Sequence, residues 1–254
     1  MIDPVIVEEH GATLVIAINR PQQRNAVNRS VSLAIAAALD ELDARADLRV
    51  AVLTGNGGSF CSGMDLKAFV DGERPELAGR GFGGLTERPP RKPLIAAVEG
   101  FALAGGCELA LACDLIVAAE TAWFGLPEVC RGLVAGSGGL LRLRRRIPPA
   151  IALEYALTGD RMAAPVAHGW GLVNRLAAPG EALVAALALA ASINANAPLS
   201  VAMSKHIMAE ADGWPAAETW DRQRALVEPV LTSVDAQEGA RAFAEKRAPV
   251  WQGR

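Results

Sequence analysis

Apolar positions are β-branched and partly alternating in 5-VIVEEH-10 and 12-ATLVIAI-18, and the Gly11 turn between them predicts an N-terminal hairpin. Asn19-Arg20-Pro21 ends that pattern, and the period then lengthens. Val31, Ile35, Ala38, Leu39 and Leu42 share one helical face, which predicts a helix capped by Ser30 and running to about residue 46. The segments 49-RVAVLTG-55, 94-LIAAVEG-100 and 115-LIVAA-119 are apolar with little alternation, as expected of strands in one sheet buried on both faces. Helices near 65–71 and 105–113 complete a βαβ rhythm, which places ligand sites on loops. Residues 72–91, rich in Gly, Pro and Arg, fit neither period and are expected to form a mobile loop. After Pro148 the pattern predicts helices over 149–157, 179–194, 198–211, 215–230 and 233–247, with a short strand near 172–177. That helical tail has no evident core of its own and needs another surface to cover it.

Composition narrows the class without changing this outline. Of 254 residues 51% are hydrophobic and only 5% aromatic, and Ala-rich stretches such as 181-EALVAALALAAS-192 suit closely packed helices, giving an α/β or α+β chain. Twenty-five Lys and Arg face 28 Asp and Glu, so bulk charge gives no footprint for nucleic acid or a membrane surface. The local cluster Arg142, Arg144, Arg145 and Arg146 is expected to be a solvated helix face. Cys61, Cys107, Cys113 and Cys130 lie in apolar segments without metal-ligand spacing and are expected to be buried thiols. No signal-peptide pattern opens the chain and no apolar run reaches the ~18 residues of a spanning helix, so a cytoplasmic location is expected.

Three glycine-marked turns carry the candidate chemistry. Gly55-Asn56-Gly57-Gly58 follows a strand, but Phe60 stands where a dinucleotide loop needs its third glycine. In 59-SFCSGMDLKAF-69, Gly63 permits a turn before a helix starting near Asp65, which is a candidate cap. In 100-GFALAGG-106 a second turn enters the apolar helix that carries Glu108. Backbone amides at two such helix starts suit an oxyanion. Glu108 sits among apolar residues, and Glu128 follows Leu126-Pro127. Desolvation raises such carboxyl pKa values toward the range of general acid and base work, although a helix-dipole role for one and a surface turn for the other are open alternatives. The 135-AGSGG-139 stretch lacks the G-x-S-x-G spacing of a nucleophile elbow, and the histidines at 10, 168 and 206 lie outside these segments.

Together 20-RPQQRNAV-27, 54-TGNGGSFCSGMDLKAF-69, 93-PLIAAVEGFALAGGCELALACDLIVAAE-120, 124-FGLPEVCRGLVAGSGG-139 and 239-GARAFAEKRAPVWQG-253 resemble the crotonase superfamily, specifically the enoyl-CoA hydratases, over nearly the whole chain. The resemblance implies an α/β spiral of ββα units over residues 1–195 and a C-terminal helical region, 196–254, that builds trimers or hexamers. It implies that the amides of Met64 and Gly105 hold a thioester carbonyl, that Glu108 activates water, that Glu128 delivers a proton to the α-carbon, and that the Gly136 amide positions the water. It further implies coenzyme A binding around Arg24, Ala26, Ser62, Asp65, Leu66 and Lys67, with Phe243 and Lys246 reaching it from a neighbouring subunit. No metal or separate cofactor is expected, because coenzyme A is part of the substrate. Ala135 departs from a proline common in this turn, and 138-GGLLRLRRRIPPAIALEYALTG-159 looks like carnitinyl-CoA dehydratases. The reaction expected is hydration of a 2-trans-enoyl-CoA. Carnitinyl-type dehydration, Δ3,Δ2 isomerisation and a non-catalytic acyl-CoA-binding oligomer are the alternatives.

Overall fold

The structure, a computed structural model, describes residues 3–254. Val5–His10 (β1) pairs antiparallel with Thr13–Ile18 (β2) about Gly11, as expected. Helix Arg29–Ala44 (α1) follows, but Asn28 rather than Ser30 is its cap. The Asn28 carboxamide oxygen accepts the Val31 amide at 3.2 Å, and Ser30, already inside the first turn, donates its hydroxyl to the same oxygen. Only a residue still in extended backbone can reach that amide. The chain continues through Val50–Gly55 (β3), Leu66–Val70 (α2), Glu76–Leu77 (β4), Gly81–Phe82 (β5), Leu94–Val98 (β6), Phe101–Leu103 (β7), Gly105–Ala112 (α3), Leu115–Ala119 (β8) and Trp123–Gly125 (β9). Its second half is Gly139–Arg146 (α4), Pro149–Thr158 (α5), Met162–Ala163 (β10), Ala164–Gly169 (α6), Arg175–Ala177 (β11), Ala182–Asn194 (α7), Pro198–Glu210 (α8), Thr219–Leu231 (α9) and Val234–Glu245 (α10).

Six strands in the order β1-β2-β3-β6-β8-β11 form the main sheet, parallel from β2 onward, with Ile16 beside Leu53, Val52 beside Ile95 and Ala97 beside Val117. Its central strands lack alternation because both faces are covered. One face and α1 enclose Ile16, Leu53, Ala96 and Ile116 with Ile35, Leu39 and Leu42. The other presents Val15, Val52, Ile95 and Val117 to α7, whose Ala186 and Ala190 are fully buried and allow a close approach. A second sheet, β10-β9-β7, stands beside the first and places the start of α3.

Three further expectations change. Residues 72–91 are not a featureless loop: β4 and β5 pair as a small hairpin, and Phe82, Leu85 and Thr86 are buried. Two-residue strands are too short to show a period, and Phe82 and Leu85, three residues apart, anchor the segment in the core. Cys61, Cys107 and Cys113 are buried, but Cys130 is exposed beside the Thr158 carbonyl. Of the arginine cluster only Arg144 and Arg145 face solvent; Arg142 and Arg146 turn inward. The tail packs thinly: α8 and α9 have no buried residue, and Lys205 docks α8 by bonding Asp114 and the Lys92 carbonyl. Among the described residues no single helix is long and apolar enough to cross a membrane.

Candidate active site

Backbone pairing brings the two amide turns together. Cys61 bridges Ala102 of β7, and the Leu103 amide bonds the Cys61 carbonyl at 3.0 Å. Val27 donates to Gly63 O at 2.8 Å and Asp65 donates to Val27 O at 2.9 Å, so the intervening Met64 N–H points to the other side, with no acceptor among the described residues. The Gly105 N–H opens α3 and has no acceptor there either, as a first-turn amide of a helix does not. Gly63 has φ of +100°, and a Cβ there would lie 3.1 Å from Gly105 N, so the two turns touch. Ala104, between β7 and α3, holds a φ of +49°, a costly value for a residue with a side chain. Both unpartnered amides therefore belong to one strained junction, where a carbonyl oxygen can accept from the two of them.

Glu108 lies one turn into α3 and is 3% exposed. Its Oε1 accepts the amides of Ser137 at 2.7 Å and Gly139 at 2.9 Å. Burial pushes its pKa up, while these amides and the charge of Arg142 pull the other way. Glu128 lies in the 3-10 turn Pro127–Arg131, with its Oε2 buried and unpartnered. Burial raises its pKa and the Glu108 charge raises it further, while its own backbone amide and, more weakly, Arg131 oppose them. Gly136 is exposed, and its N–H has no acceptor among the described residues, although the next amide is spent on Glu108. Both carboxyls are thus raised above their ordinary value, but Glu108 has two amides and a nearby cation to stabilise its charge while Glu128 Oε2 has no donor, an asymmetry of the kind that paired acid and base catalysis uses.

Arg24, Ala26, Ser62, Asp65, Leu66 and Lys67 form a patch beside the Met64 turn. Ser62 N bonds Arg24 O, and Arg20 grips both Ala26 O at 2.6 Å and Asp65 Oδ2 at 2.8 Å. Asp65 also caps α2 through the amides of Lys67 and Ala68. Burial acts upward on its pKa, but Arg20 and the capped amides bring it below the ordinary value. Its carboxylate is therefore committed to structure: Asp65→Ala is expected to cost about 1 kcal/mol through the lost cap alone, read as a lowered Tm. Leu66 and Lys67 are exposed, as is Arg24. Phe243 is on α10, which packs on α9, and Lys246 is the left-handed residue that ends that helix; Phe243 is 88% exposed in the single chain.

Sequence reasoning missed Ser137 and Gly139 as the donors to Glu108, Phe82 behind Gly105, and Arg20 and Arg142. The glycine-rich entry to α4 was the visible signal for the first pair. Among the described residues no group of three or more His, Cys, Asp or Glu is disposed to hold a metal ion.

A family model described as enoyl-CoA hydratase/isomerase matches residues 8–254. The chain is 44% identical to a carnitinyl-CoA dehydratase of Salmonella typhi over 262 aligned positions, covering 100% of both chains. A solved structure of an enoyl-CoA hydratase from Mycobacterium tuberculosis H37Rv is 60% identical with a TM-score of 0.98, covering 99% of this chain and 100% of the other. A carnitinyl-CoA hydratase structure from Mycobacterium avium is 46% identical with a TM-score of 0.80, covering 100% of both.

Proposed function

Because the chain belongs to the enoyl-CoA hydratase/isomerase family, a group of acyl-CoA enzymes with the crotonase fold, we propose that it adds water reversibly to a 2-trans-enoyl-CoA to give a 3-hydroxyacyl-CoA. The thioester carbonyl accepts from the Met64 and Gly105 amides, which stabilise enolate charge as it develops; an oxyanion-hole donor is typically worth about 2.7–4 kcal/mol. Glu108 takes a proton from water held by the Gly136 amide, the hydroxide adds to C3, and Glu128 delivers a proton to C2. Solvent exchange then returns the proton from Glu108 to Glu128. The observation that carries this reading is the contrast between the carboxyls: Glu108 accepts two amides, whereas Glu128 keeps a buried oxygen without a donor.

Carnitinyl-CoA carries a trimethylammonium group, which proteins receive on open aromatic faces. Beside the two amides, Phe82 is buried against Gly105, and the Phe69 ring already carries the Arg74 guanidinium 4.1 Å from its centroid. Arg131, whose charge is felt at Glu128, also disfavours a cationic acyl group. An uncharged acyl chain fits better. Arg24 and Lys67 are the cations available to coenzyme A phosphates. Exposed Met208, Trp220, Leu231 and Phe243 on α8 to α10 support residues 196–254 as the surface of a trimer or hexamer, with Phe243 and Lys246 meeting the acyl-CoA of a neighbouring copy.

An acyl-CoA panel with product identification tests the reading. Crotonyl-CoA is expected to lose its enoyl absorbance with a kcat/KM at least about tenfold above that for dehydration of carnitinyl-CoA, which would correspond to 1.4 kcal/mol in the transition state. The reverse ranking, or conversion of 3-enoyl to 2-enoyl species without hydration, would overturn it.

A further inference from the structure

We propose that Arg142 is a positioning residue of this site: its guanidinium pins the 136–139 turn that holds Glu108 and joins that turn to the segment backing the Gly105 amide. Its kinetic consequence rests on the hydratase reading above; its structural consequence does not. Arg142 leaves the first turn of α4 and folds back over the loop that precedes the helix, with Nη1 3.4 Å from Ser137 O and Nη2 donating to Thr86 O. Gly138 lies beneath it with a φ of +92°, and a Cβ there would come within 2.2 Å of Nη1, so the turn is shaped around the guanidinium.

The residues that Arg142 touches are the ones that matter on either side of it. Ser137, whose carbonyl faces Arg142, gives its own N–H to Glu108, and Gly139 gives the second. Thr86 belongs to the segment in which Phe82 packs so closely on Gly105 that a Cβ there would be 2.6 Å from the ring. The water-activating carboxylate and the wall behind the oxyanion amide are therefore joined by one side chain. Arg146, one turn on, makes a different contact: it donates to Cys113 O at the far end of α3. Arg144 and Arg145 remain in solvent.

Electrostatics point the same way. Burial lowers the pKa of Arg142, and Glu108 is the carboxylate whose charge restores it, while Arg142 favours the ionised form of Glu108. Glu108 is faced by Arg142 from α4 and by Glu128 from the 127–131 turn; on its own helix, burial pushes the Cys107 thiol up to about 12, so it stays neutral.

Amide hydrogen exchange in the ligand-free protein tests the structural half. Arg142→Met is expected to accelerate exchange at Ser137 and Gly139 by roughly tenfold or more relative to Ala110 inside α3, Arg142→Lys by less, and Arg144→Met not at all. With crotonyl-CoA, Arg142→Met is expected to lower kcat by about 10²-fold, the cost typical of a displaced catalytic group, with KM within about threefold. The acid limb of the kcat profile should move to higher pH, because Glu108 loses a neighbouring cation. In a Glu108→Gln background the same substitution is expected to add less than about threefold, since residues acting as a unit are not additive. Unchanged exchange at Ser137 and Gly139 overturns the proposal, as does a fully additive loss with Glu108→Gln or a rise in KM alone. If Arg142→Met does not fold, Arg142→Lys decides by the same readouts. Accelerated exchange with wild-type protein silent on every enoyl-CoA would sustain the positioning role and overturn the hydratase reading.

Discussion

Glu108→Gln and Glu128→Gln are each expected to lower kcat for crotonyl-CoA hydration by about 10²–10⁴-fold, the range of a lost general acid or base, with KM nearly unchanged. Neither substitution alters the Met64 and Gly105 amides, so substrate binding should persist. The double variant should lose far less than the product of the two, because once one proton cannot move the other group has little left to do. Stability should move the other way. Both carboxyls have folded-state pKa values raised above the ordinary 4.5, with burial as the leading cause. A group of this kind binds its proton more tightly in the folded chain, so its favourable contribution is fully present below the unfolded pKa and is lost as pH rises through the folded one. At neutral pH the wild type holds two desolvated carboxyls near one another. Glu128→Gln removes the one whose buried Oε2 has no donor. Its Tm should therefore exceed that of the wild type at pH 7, and the difference should shrink toward pH 4. Thermal melts across that window check the sign, and a Tm for Glu128→Gln below wild type at pH 7 would contradict the desolvation account.

The elements easiest to read in the chain were those whose burial is uniform. β3, β6 and β8 are covered on both faces, so an unbroken apolar run is their signature, and α1 shows a helical stripe because only one of its faces meets the sheet. The 81–87 segment was illegible for the opposite reason: two core side chains, Phe82 and Leu85, fix it, and a pair of residues among glycines has no period. Glu108 and Glu128 could be picked out because a carboxyl among apolar residues is anomalous in any context. Their difference could not. It depends on which backbone amides reach each carboxyl across 29 and 31 residues of sequence separation, from Ser137 and Gly139 to Glu108, and a backbone amide has no letter of its own in a sequence. The arginine cluster failed similarly, since Arg142 and Arg146 of one short helix turn inward while Arg144 and Arg145 face solvent, and a charge run does not record which.

Gly105→Ala is expected to reduce hydration about as severely as losing a carboxyl, and by a route that can be reversed. A Cβ at position 105 would stand 2.6 Å from Cζ and 2.7 Å from Cε1 of Phe82, a ring that is 3% exposed and has little room to retreat. The helix start must then move, and it carries the Gly105 amide with it. A shift approaching 1 Å at a catalytic group costs about 10²-fold in rate, and overpacking of this kind typically costs about 1–3 kcal/mol of stability. The loss should fall on kcat rather than KM, because the amide acts most strongly on the charge that develops in the transition state. Phe82→Leu removes the ring atoms that meet the new methyl group. In the Gly105→Ala background it should restore kcat by at least about tenfold, a coupling of 1.4 kcal/mol between residues in contact, although alone it leaves a cavity and lowers Tm. Steady-state kinetics on the four members of this cycle decide the matter. Additive losses would mean that Gly105 is required for some property other than the space Phe82 occupies, whereas rescue ties the oxyanion amide to the 81–87 segment through that one contact.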